Sequence, residues 1–395
     1  MPIASQTIQP TASMTRRTGR PFFGVIDSVI IASPAAFDFD GAISSDHAES
    51  AWTWMVRDLA PDLAEPEVGD DTLEASAATN ALIAELLTRA RTATAAAAAS
   101  RESQRRLVVS LGGDDAWQKL PTILNALKCR NLLDKAQAFG RAANGMPDEA
   151  ALASALQAMP LSDHNVAALL MQAAVGQVAN PSRLMTAVVR ITGASTEAAI
   201  ARAGFSPLVD ALLAHAQNQI QHVTQVGPFP DIDLMCRAID RFHRLARAVN
   251  GYVELTRNGR WASVMGALTK TVSERIEPRL RDVVGTVNMA MRRSAGADRL
   301  DPDLLLQALG GCYVLATVRE ARDSLALNAL FDQSWSQLGQ ALEIHIERNL
   351  EIYRKDPGDK VTGERLEAAF KMAELRFNTE YADVLRRAKE TAEKR

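Results

Sequence analysis

From about Pro121 to Arg395 the apolar residues recur three, four and seven positions apart, and almost no stretch alternates with the period of a strand. Leu304, Leu305, Ala308, Leu309, Cys312, Leu315 and Ala316 form one such stripe, and Leu366, Ala369, Phe370, Ala373, Leu375 and Phe377 a looser one. Residues at i, i+3, i+4 and i+7 share one face of an α-helix, so the pattern predicts an all-α chain. Helix-start signals punctuate it. A cap residue followed by proline occurs at Asn180-Pro181, Ser206-Pro207 and Asp301-Pro302, because proline has no N–H to lose at the first helical position.

Three textures follow one another after a polar tail over residues 1–20. Residues 21–71 are irregular: an apolar stretch, one helix opened by Asp46 with Glu49 three residues on, and an acidic linker from Pro61 to Asp71. Residues 72–226 predict helices over 72–111, 122–140, 147–158, 162–178, 181–192, 195–203 and 207–225, a short-helix bundle or irregular solenoid without a fixed repeat. Residues 231–395 predict a bundle of long antiparallel helices over 231–256, 258–293 with a kink at Pro278, 302–330, 333–355 and 362–392. Gly310-Gly311 falls inside a helix, where it permits close packing or a kink.

Composition narrows this little. Hydrophobic residues make up 47% and charged residues 23% of 395, ordinary for a globular protein, but aromatics are only 5%. The net charge of −3 predicts no general attraction to nucleic acid. Cys129, Cys236 and Cys312 are far apart, without a CxxC, and read as buried free thiols in a reducing compartment. With no apolar run of about 18 residues, the expected location is the cytoplasm. The Ala- and Arg-rich, Lys-poor usage fits a GC-rich bacterial source. In the tail, Thr15-Arg16-Arg17 ahead of the stretch Phe22–Ile31 has a slight look of a twin-arginine export signal, and the same stretch is a candidate for peripheral membrane contact.

Two acidic motifs carry candidate chemistry. Phe37-Asp38-Phe39-Asp40-Gly41-Ala42-Ile43 resembles the first motif of the haloacid-dehalogenase-like phosphohydrolases, Asp-x-Asp-Gly-Thr after a strand. The resemblance implies Asp38 as nucleophile and Asp40 as general acid/base around magnesium. It spans seven residues, has Ala42 at the threonine position and lacks the alternating β/α core, so the segment reads as an acidic turn ahead of a helix. Asp70-Asp71-x-x-Glu74 is similar to the diphosphate-binding motif of all-α isoprenoid enzymes. No second acidic motif faces it, and helix entry explains its acids. The histidines do not assemble a metal motif, so no catalytic residue, metal or cofactor is assigned.

The most distinctive electrostatic feature is a basic stripe. Arg237, Arg241 and Arg244 at i, i+4 and i+7, with Arg247 nearby, put positive charge on one helix face and are the candidate anion or acidic-partner site. In the C-terminal helices, Phe331, Trp335, Tyr353 and Phe377 are candidate interface anchors beside charges of mixed sign. The resulting expectation is a non-enzymatic scaffold, adaptor or regulatory subunit that binds another protein, with a homodimer through the C-terminal helices as one form. The alternatives are a ligand-binding protein or enzyme with an arginine-lined interhelical pocket, and a peripheral membrane protein.

Overall fold

The computed structural model describes residues 21–63, 77–224, 230–293 and 299–394. It is helical almost throughout, as the periodicity predicts. The exception is a parallel pair of two-residue strands, Ile30 and Ile31 against Ile43 and Ser44. The polar tail and the Asp70–Glu74 motif lie outside the described residues. No helix among the described residues is long and apolar enough to cross a membrane.

Contacts divide the chain into two units. One comprises the chain up to Pro34 together with Ala42–Ala136; the other comprises Ala35–Gly41 together with Gln137–Arg395. The sequence textures instead change near residues 71 and 226. The first unit contains α1 (Pro21–Ile26), β1 (Ile30–Ile31), β2 (Ile43–Ser44), α2 (Ser45–Trp54), α3 (Ala77–Ala98), α4 (Arg101–Ser110), α5 (Asp114–Lys128) and the start of α6 (Arg130–Ala143). Its core takes Ile26, Val29 and Ile31 from the apolar N-terminal stretch, with Ile43, Trp54, Met55, Leu120 and Ile123. Those apolar side chains of the stretch are therefore inside the unit rather than on its surface. The predicted helix over 72–111 divides at Ala99-Ser100, where Ser100 is extended.

The second unit continues with α7 (Glu149–Gln157), α8 (His164–Val175), α9 (Pro181–Thr192), α10 (Glu197–Arg202), α11 (Ser206–Asn218) and α12 (Ile220–Val223). Long helices follow: α13 (Ile232–Asn250), α14 (Arg260–Met291), α15 (Pro302–Ala321), α16 (Asn328–Lys355), α17 (Lys360–Arg376) and α18 (Thr379–Glu393). Residues Ala167–Val175 of α8 and Pro207–Ala214 of α11 are buried on all sides and, apart from Gln172 and Asp210, carry only apolar side chains, as a helix enclosed by others requires. These two helices pack on each other, and α11 also packs on α13.

Among the long helices, α14 lies against α15 and α16, and α17 against α16 and α18. A Cβ on Gly310 would meet Ile232 at 3.0 Å and one on Gly311 would meet Val283 at 2.9 Å, so the glycine pair lets α15 approach both α13 and α14. The predicted helix over 302–330 ends instead at Ala321, and 362–392 breaks at Phe377-Asn378. There the Asn378 side chain accepts from the N–H of Tyr381 and starts a new helix. Cys129 and Cys312 are buried and Cys236 is half-buried, none of them in a disulfide. Burial pushes the Cys312 thiol up to about 12, the behaviour of an inert core residue.

Candidate functional surface

The structure separates the four stripe arginines by what each touches. All lie on α13, and only Arg241 reaches into the interior. Its guanidinium donates to the carbonyl oxygens of Val178 at 2.5 Å and Val175 at 2.8 Å. Val175 is the last residue of α8 and Val178 lies three residues beyond it; the Val175 oxygen also accepts from the Val178 N–H at 3.2 Å, at a helix end whose carbonyls lack the i+4 N–H partners of the interior. His215 on α11 serves the same end: its Nε2–H donates to the Gln172 oxygen at 2.8 Å. Two imported donors thus cap one buried helix terminus, and a cation there also complements the helix dipole. Burial, followed by repulsion from Arg244, lowers Arg241 to about 10. The group stays charged at neutral pH.

The other three face solvent. Arg244 pairs with Asp240 at 2.8 Å and reaches the Ala179 oxygen at 3.4 Å. Arg237 pairs with Asp233 at 2.7 Å, one turn earlier on the same helix. Arg247 is exposed, and its charge helps to hold His243 below the usual histidine range, after the larger effect of burial. Exposed pairs one turn apart are worth about 0.3–0.5 kcal/mol each. The stripe is therefore one structural cap flanked by solvated ion pairs.

The capping histidine sets a pH response. Burial holds His215 down to about 4, against an ordinary 6.5, although its bond to Gln172 acts the other way. Below pH 6.5 the unfolded chain takes a proton that the folded chain refuses. This contribution to stability is present in full above pH 6.5 and is lost as pH falls toward 4. Urea unfolding at pH 7 and pH 4.5 should differ by about 2 kcal/mol on account of this group, with His243 and His345, also lowered by burial, adding in the same direction. His215→Gln should remove most of that difference; an unchanged pH dependence would contradict the buried neutral imidazole.

The Phe37–Gly41 segment belongs to the second unit, turns at Asp40-Gly41, and is held as a strap on α8, α11 and α14. The Gln217 amide takes both backbone groups of Phe37, accepting at 2.7 Å and donating at 3.1 Å. Phe39 is buried, with the Arg260 guanidinium 5.5 Å above its ring. Arg260 also donates to the Asp38 carbonyl and, at 2.9 Å, to Asp210, whose carboxylate accepts from Trp261 Nε1 at 2.8 Å as well. Asp40 lies 2.8 Å from His164 Nε2. A Cβ on Gly41 would stand 2.1 Å from the Ala168 carbonyl oxygen, so only glycine fits there. Among the described residues no group of three or more His, Cys, Asp and Glu side chains is placed to hold a metal. Asp38 and Asp40 sit in a docking strap, not in a β/α phosphohydrolase core.

The four candidate interface anchors also divide. Phe331 is in the core, and Tyr353 is buried with its hydroxyl donating to Glu393 at 2.8 Å. Trp335 and Phe377 stay half-exposed and sit in a cluster assembled from four helices. The guanidiniums of Arg319 (α15) and Arg376 (α17) lie 5.1 and 4.6 Å from the Trp335 ring centroid. Arg376 also donates Nε–H to the Trp335 carbonyl at 2.7 Å and lies 4.9 Å from the Phe377 ring. Gly339 makes room for it, since a Cβ there would meet the guanidinium at 2.8 Å. Phe377 and Tyr381 (α18) are 4.6 Å apart, and Val384, one turn beyond Tyr381, is 56% exposed. Arg319, Arg376, Tyr381 and Val384 are the members missed in the sequence; no spacing rule links residues on separate helices.

No protein-family model matches this chain, no curated protein is significantly similar to it, and no solved structure significantly matches its fold. Function is therefore to be read from these surfaces.

Proposed function

We propose that this chain is a non-enzymatic scaffold, adaptor or regulatory subunit that binds another protein through the Trp335 cluster. The observation that carries this reading is a half-exposed Trp335 with two guanidiniums over its ring, beside Phe377, Tyr381 and Val384. Trp, Tyr and Arg are the residues that most often dominate binding energy. They do so because each offers a large rigid face together with a polar group. A cation over an indole face also holds the ring in one orientation before any partner arrives. The setting in this reading is the cytoplasm of a bacterium, supported by three cysteines outside any disulfide and the Ala- and Arg-rich composition. A second copy of the chain is one form the partner takes.

The test is native affinity purification with mass spectrometry, run in parallel on the wild type and on an Arg319→Glu, Tyr381→Ser variant. Arg319 is exposed and Tyr381 half-buried, neither belongs to the core, and both changes should leave the circular dichroism spectrum unchanged. A stoichiometric partner of the wild type should lose affinity by roughly 30-fold for each anchor removed. A partner that binds the variant equally well would overturn the cluster as the interface.

A further inference from the structure

The arginine-lined interhelical pocket expected on α13 has a counterpart elsewhere in the same unit. Between α14 and α16 lies a cavity of about 240 Å³ lined by Asn288, Met291, Arg292, Arg293, His345, Arg348 and Asn349. Its described lining contains no carboxylate. Neither the Arg292 nor the Arg348 guanidinium has a hydrogen-bonded or ion-paired partner among the described residues. Arg365 of α17, 0% exposed, adds its charge from below: it and Arg348 both push His345 down, after burial. One nearby acid is Asp359, 3.8 Å from Arg293. That carboxylate already accepts from Val361 N–H, Thr362 N–H and the Thr362 hydroxyl as the cap of α17.

Four arginines around one small cavity need a reason. The helix dipole accounts for Arg292 and Arg293, which follow the end of α14. It does not account for Arg348 and His345, which sit well inside α16, nor for a buried arginine beside them. Like charges gathered this closely repel, and repulsion of this kind is relieved by a bound anion. A carboxylate is satisfied by one forked guanidinium. Several guanidiniums approaching from different helices match a tetrahedral group with three or four acceptor oxygens. The Asn288 amide, whose Oδ1 lies 2.8 Å from His345 Nε2, completes a polar mouth. The volume is below the roughly 300–1,000 Å³ of drug-sized sites, which suits a single phosphoryl group.

We infer that this pocket binds the phosphoryl group of a small molecule, either inorganic phosphate or a phosphate monoester, through Arg292, Arg348 and His345, with Arg293 and the buried Arg365 supplying positive potential.

His345 is a built-in reporter, because an anion beside the ring favours its protonated form. The groups that face it are Arg348 on α16, Asn288, Arg292 and Arg293 from α14, and Arg365 from α17. The full chain is titrated with inorganic phosphate, phenyl phosphate and acetate at constant ionic strength. Each titration is followed by calorimetry and by NMR titration of the histidine ring protons. Phosphate, the monoester or both should bind and move the His345 midpoint upward while leaving buried His215 in place. The Arg292→Gln, Arg348→Gln double variant alters two exposed side chains and should weaken binding about tenfold or more. If only the free ion binds, the ligand is phosphate itself; if the monoester binds as well, it is a phosphorylated metabolite. Acetate binding as tightly as phosphate, no movement of His345, or undiminished binding by the double variant would overturn the site.

Discussion

Arg241→Met should cost about 2–4 kcal/mol of stability, while Arg237→Met, four residues away on the same stripe, should stay within about 0.5 kcal/mol of the wild type. The contrast follows from what each guanidinium touches. Arg241 supplies two short charge-assisted hydrogen bonds to the Val175 and Val178 carbonyls at the end of α8. Methionine matches its stem but leaves the Val178 carbonyl without that donor and the Val175 carbonyl with only the Val178 N–H at 3.2 Å, and a buried unpaired carbonyl costs about 1–3 kcal/mol. The Arg237–Asp233 pair is exposed, and water replaces it without penalty. Urea denaturation monitored by circular dichroism measures both. Equal stabilities for the two variants would return Arg241 to the role of a binding residue.

The second large effect is expected at the strap. Arg260→Met should cost about 3 kcal/mol or more, and more than Asp210→Leu. The Asp210 side chain is 11% exposed and that of Arg260 55%. Removing the arginine leaves a nearly buried carboxylate with the Trp261 N–H alone, and an uncompensated buried charge is among the costliest defects a point mutation makes. Removing the aspartate instead leaves an arginine that turns to water and one indole N–H without its acceptor, a loss of about 1–2 kcal/mol. Arg260→Met also frees the Asp38 carbonyl and uncovers Phe39, so the strap loosens in that variant. A double-mutant cycle on the two positions reads the order directly. The reverse order would mean that the carboxylate is better solvated than its burial indicates.

Much of the helical frame was legible because the signals are local. Asn180-Pro181 and Gly193 bound α9 at Pro181–Thr192, as the predicted span 181–192 has it. Asp301 caps α15 through its side chain, and the Asp356–Asp359 turn separates α16 from α17. Breaks were harder to place. Nothing apolar changes at Phe377, yet the chain leaves helical geometry there and Asn378 caps a new helix. The single helix expected over 258–293 with Pro278 inside it is α14, Arg260–Met291.

Site geometry was less legible for a different reason. The spacing of Arg237, Arg241 and Arg244 is the same whether the face meets water, a ligand or another helix. What decides Arg241 is a pair of carbonyls 63 and 66 residues away. The pocket at His345 has no sequence signature, since Arg292, Arg348 and Arg365 come from three helices. Trp335 and Phe377 were visible as aromatic anchors, but nothing in their spacing separates them from Phe331 and Tyr353, which the fold places in the core.

The proposal that this protein works through its Trp335 face is tested most directly by hydroxyl-radical footprinting, in clarified extract of the source cells against the purified chain. Trp335, Phe377 and Tyr381 should be oxidised readily in isolation and protected in the extract. Tyr313, 47% exposed on α15 and outside the cluster, serves as the internal reference and should react equally in both. Equal oxidation of all four residues in the two samples would contradict a binding role for this surface.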